Sequence, residues 1–60
     1  MIEYKVVELS IVTDETIERA LNDWTPQGWS LDTIQFVVRE ASKRPSMAFV
    51  LLTREIKQDG

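Results

Sequence analysis

Sixty residues allow one domain with a small core. With no cysteine and no histidine, disulfides, thiolate metal sites and the commonest general base are excluded. A net charge of -3 argues against a chain devoted to holding phosphate backbones, so nucleic acid is not the expected partner.

The first residues give no targeting signal. No basic segment precedes an apolar run after Met1, and no run reaches membrane-spanning length. The expectation is a cytoplasmic protein without a membrane partner. Residues 2 to 9, "IEYKVVEL", carry aromatic and β-branched side chains without Gly or Pro, the composition of a strand.

A helix follows, over about residues 14 to 24. Thr13 or Asp14 can cap it, because a short side-chain oxygen accepts from the free N–H groups of the first turn. Asp14 and Glu15 suit the positive end of the helix dipole. Ile17, Ala20, Leu21 and Trp24 recur at i, i+3, i+4 and i+7 and share one face. Such a short helix is marginal alone in water and has to be held by packing. Pro26 cannot continue the helix interior, and Gly28 can take a positive φ to turn the chain. Trp24, Gly28, Trp29 and Leu31 are therefore read as structural anchors around this turn. Asn22 is a candidate to bond back to the turn backbone.

Residues 29 to 39, "WSLDTIQFVVR", form the second strand candidate. Trp29 and Leu31 alternate in one phase; Ile34, Phe36 and Val38 alternate in the other. The switch requires either a bulge near Asp32 and Thr33 or a strand apolar on both faces. "EASKRPS" then reads as a hairpin connection. Residues 47 to 55, "MAFVLLTRE", form the third strand, with six consecutive apolar residues suited to a central position. Residues 56 to 60 read as a frayed tail beyond a structured 1 to 55.

The order β-α-β-β sets the topology. A helical crossover makes strands one and two parallel, and a short loop makes strands two and three antiparallel. Both hold if strand three is central. The expected fold is thus a single α+β domain over 1 to 60: a three-stranded sheet in order 1-3-2, with one helix on one face.

One helix covers one face, yet all three strands offer apolar groups to both. Tyr4 and Val6 oppose Val7 and Leu9; Phe36 and Val38 oppose Val37; Phe49 and Leu51 oppose Ala48, Val50 and Leu52. Periodicity alone does not say which set lies beneath the helix. We assign Val7, Leu9, Val37, Ala48, Val50 and Leu52 to a self-association face. A homodimer packed sheet to sheet would cover it, since large exposed apolar patches mark interaction surfaces.

Candidate chemistry is sparse. No D-x-D or E-x-x-H spacing, Gly-rich phosphate loop or G-x-S-x-G motif occurs. No enzymatic activity and no cofactor are expected. Thr13, Asp14 and Glu15 resemble oxygen ligands, but capping accounts for them without a metal. Arg39, Lys43 and Arg44 make a basic hairpin tip over 39 to 46 that would touch nucleic acid or an acidic partner; solvated charges that discourage edge pairing are the simpler reading. Trp24 and Trp29 would stack a small ligand if exposed, and anchor the core if buried.

Four short motifs bring a resemblance. Tyr4-Lys5-Val6-Val7-Glu8, Leu21-Asn22 and Gly28-Trp29-Ser30-Leu31, with Leu52-Thr53-Arg54 at the end, together resemble a small bacterial family: the domain of unknown function numbered four-one-seven-seven. The chain departs from that pattern at Thr25-Pro26-Gln27, at Ser30 and in the hairpin with Lys43-Arg44-Pro45. The resemblance implies the β-α-β-β architecture and no established activity.

Overall fold

The computed structural model describes residues 1–39 and 44–56. Strand β1 spans Ile2–Leu9, helix α1 Asp14–Trp24, strand β2 Ser30–Val38 and strand β3 Pro45–Glu55. The sheet order is β1-β3-β2, and β3 pairs antiparallel with both neighbours. The α+β architecture therefore matches the expected one. β3 begins two residues earlier than its apolar run, because Pro45 pairs with Val38 beyond a second irregularity at which Ser46 is the extra residue. The basic tip falls partly outside the described residues, since Lys43 is not among them. Residues 57 to 60 of the expected tail also lie outside. Ile56, the first residue of that tail, donates its N–H to the Met1 carbonyl at 2.8 Å.

Thr13 is the helix cap. Its Oγ1 accepts from the Thr16 N–H at 3.2 Å, and Thr16 Oγ1 accepts from the Thr13 N–H at 2.9 Å. Two backbone donors that the first turn cannot satisfy internally are thus paired reciprocally. At the other end, Thr25–Gln27 form one 3₁₀ turn with Pro26 in its first positions, and Gly28 takes φ 95°. The side chain that bonds back to the turn backbone is Gln27, not Asn22: Gln27 Nε2 donates to the Asp23 carbonyl at 2.8 Å.

The phase switch in β2 is a bulge. Leu31 pairs with Leu52 and Thr33 with Leu51, so Asp32 is the extra residue. One inserted residue moves every later side chain to the opposite face. Leu31 before the bulge and Ile34 after it therefore both lie on the helix side.

Opposed residues in an antiparallel ladder share a face. The helix-side rows are Glu3 with Arg54; Lys5 with Leu52 and Leu31; Val7 with Val50 and Ile34; Leu9 with Ala48 and Phe36. The core consists of Trp29, Val50 and Leu52, with Val7, Leu9, Leu21, Trp24 and Ile34 against it. Ala20 and Ala48 are buried as well, and small side chains at such points let a helix approach a sheet closely.

This arrangement corrects the face assignment. Val7, Leu9, Ala48, Val50 and Leu52 lie in the helix-side rows, and Ala48, Val50 and Leu52 are fully buried. They form the core rather than a self-association face. Only Val37 of that set stands on the open side, opposite Met47. A charge at Val50 would therefore break the fold instead of probing an interface.

Candidate interaction surface

The open face is built from the other phase. Its rows are Tyr4, Thr53 and Ser30; Val6, Leu51 and Thr33; Glu8, Phe49 and Gln35; and finally Met47 with Val37. β3 supplies an apolar spine of Met47, Phe49 and Leu51. β1 flanks it with Tyr4, 67% exposed, and Val6, 59% exposed. β2 flanks it on the other side mostly with hydroxyl and amide groups. The patch is therefore apolar along its centre and one edge, and polar along the other.

The helix side carries a different construction at one end. Lys5 Nζ lies 4.0 Å from the centroid of the Trp24 ring and 5.9 Å from that of Trp29. Arg54 Cζ lies 4.4 Å from the Trp29 centroid. Arg54 also donates from Nε to Glu3 Oε1 at 3.1 Å and from a terminal nitrogen to the same oxygen at 2.5 Å. A further contact reaches the Gln27 carbonyl at 3.5 Å. The Arg54 stem passes beneath Gly28. This one side chain joins β1, β3, the turn and the indole.

Trp29 is 7% exposed, and the protein's own cations lie against both indoles. A stacked ligand would have to displace Lys5 or Arg54, so these rings act as anchors. Of the four anchor residues, Gly28 and Leu31 are exposed, Leu31 although it lies on the helix side. The role of Lys5 and Arg54 was missed from sequence. Its signal was their position in the same phase as Val7, Val50 and Leu52, where a long cationic stem can lie along an indole.

Among the described residues, depressions flank α1. A groove of about 190 Å³ runs between α1 and β1, lined by Val7, Leu9, Thr16, Ala20 and Trp24 with Arg19 and Asp23 at its rim. That is below the roughly 300 Å³ at which small-molecule pockets begin. A shallow dish on the outer side of α1 is lined by Glu15, Glu18, Arg19, Asn22 and Asp23, the solvated face of an amphipathic helix. Among the described residues, no group of three or more acidic side chains lies close enough to hold a metal ion.

Arg39 and Arg44 of the basic tip are both exposed. Among the described residues, no helix is long and apolar enough to cross a membrane. Comparison with family models, curated proteins and solved structures yields no match to this chain.

Proposed function

We propose that the chain is a small non-enzymatic interaction module that self-associates through its helix-free sheet face. The observation that carries this reading is the apolar spine Met47, Phe49 and Leu51 with Tyr4 and Val6 beside it, none of it beneath the helix. A second copy is the occupant best suited to a self-complementary patch, because a two-fold axis sets the same apolar spine against itself. The resemblance to domain four-one-seven-seven supports the architecture and adds no activity.

Sedimentation equilibrium at micromolar concentration tests the proposal. The expected result is an assembly that Val6→Glu dissociates, since that substitution puts a charge in the patch without touching the core. A clean 7.0 kDa species for the unaltered chain refutes it.

A further inference from the structure

The free edge of β2 is the least protected backbone in the described structure. Its partner β3 lies on one side, and no strand lies on the other. The six residues 33 to 38, "TIQFVV", contain no charge, proline or glycine. Such a segment on an open edge is a ready template for strand addition, and natural sheets ordinarily blunt it with charges.

The helix lies on the β1 side of the sheet, with a groove between Val7 and Leu9 of β1 and Thr16, Ala20 and Trp24 of α1, and of this segment only Ile34 joins the core. Phe36 is consequently 49% exposed on the helix side, with Val38 at 57% beyond it and Val37 exposed on the open side. Apolar exposure on both faces of one strand is not explained by packing across the open face, which would cover Val37 and leave Phe36 and Val38 in water.

The ends of the segment select the partner. Asp32 precedes it, and Arg39 and then Glu40 follow it, so the trailing end is net neutral while the leading end is acidic; Asp32 and Arg39 are exposed. An antiparallel copy of the same segment sets the Asp32 end of one chain beside the Arg39 end of the other, at both ends at once. A parallel copy would set like charges together.

We propose that β2 pairs antiparallel with β2 of a second copy about a two-fold axis perpendicular to the sheet, giving one continuous six-stranded sheet. In the register centred on Phe36, the two Phe36 side chains face each other and Ile34 lies opposite Val38 of the second chain. Thr33 lies opposite Arg39 of the second chain, next to Asp32. The axis keeps both helices on one face, separated by an apolar trough floored by Ile34, Phe36 and Val38 of both chains. Both open faces remain together on the other side. The pairing is independent of face-to-face packing, and the two combine into a closed tetramer.

The test is amide hydrogen exchange across a hundredfold concentration range, alongside sedimentation equilibrium, on the unaltered chain, Val38→Lys and Val6→Glu. Alternate amides within 33 to 38, those that do not bond to β3, should exchange at least tenfold more slowly at high concentration. Val38→Lys should abolish that protection and halve the assembly mass, with an unchanged circular dichroism spectrum because Val38 is exposed. Val6→Glu should retain the protection. Concentration-independent exchange at every amide of 33 to 38 overturns the pairing, as does an unchanged mass for Val38→Lys. Failure of the open face alone appears as a mass insensitive to Val6→Glu with the β2 protection intact.

Discussion

The two edges of this sheet are built to opposite specifications. β1 carries Glu3, Lys5 and Glu8 within eight residues, lies beneath the helix and is tied by Arg54 through Glu3. β2 has no charge between Asp32 and Arg39 and no element over Phe36 or Val38. A three-stranded sheet with one helix protects one edge well and leaves the other to its sequence. Here the sequence of the uncovered edge is the more apolar one, which is why we assign it to pairing with another chain.

The comparison can be broken most severely at the strand that both edges share. Leu52 is fully buried at the centre of β3, and Leu52→Ala should cost about 2–5 kcal/mol. Chemical denaturation should show one earlier transition in which both edges are lost together. A loss under 1 kcal/mol would mean the core is not centred there.

A smaller loss should follow from Gly28→Ala. A Cβ at Gly28 would meet only Arg54 side-chain carbons at 3.5 and 4.0 Å, so space is available. The φ of 95° is the obstacle, since a non-glycine residue there is strained by about 1–2 kcal/mol. A melting temperature unchanged from the parent would show that the turn can relax.

Arg54→Ala separates the edges directly. It removes a half-exposed ion pair with Glu3 and a cation over Trp29. Exposed ion pairs contribute little, and a cation over an indole about 0.5–2 kcal/mol. The expected total is about 1 kcal/mol. Amide exchange should quicken along β1 and stay unchanged in the β2 segment; equal acceleration of both would contradict the asymmetry. A loss of similar size is expected at the helix start, where Thr13→Ala should cost typically about 1 kcal/mol without altering assembly mass or exchange at either edge, read by thermal melting and sedimentation.

Much of the fold was legible because local signals agreed. Thr13, one of the two cap candidates, starts the helix, Gly28 turns the chain, and of the two readings of the phase change near Asp32 the bulge is the one found; Thr16, the other half of the cap, was not read. The central place of β3 followed from its apolar run together with the two connections. The choice of buried face was not legible, and the interaction surface derived from it was displaced. Val6 and Val7, Phe49 and Val50, Leu51 and Leu52 are adjacent apolar pairs, so each strand offers two nearly equivalent faces. Charge misleads here as well. Lys5, Glu3 and Arg54 share the helix side, where charged residues are not expected, because two indoles and an ion pair accommodate them. Ala48, a small apolar side chain in the central strand that is fully buried, was the usable clue.

The bond between the Ile56 N–H and the Met1 carbonyl has a mechanical consequence. It brings the two ends of the fold together at one corner of an antiparallel pair. Tension applied at those ends acts across the β1–β3 ladder and opens it bond by bond, like a zipper, starting from the corner. Tension between Met1 and Ala48, at opposite ends of the ladder on the two paired strands, instead slides β1 against β3 and loads many bonds in shear at once. The same strand should therefore yield at low force in the first geometry and resist in the second.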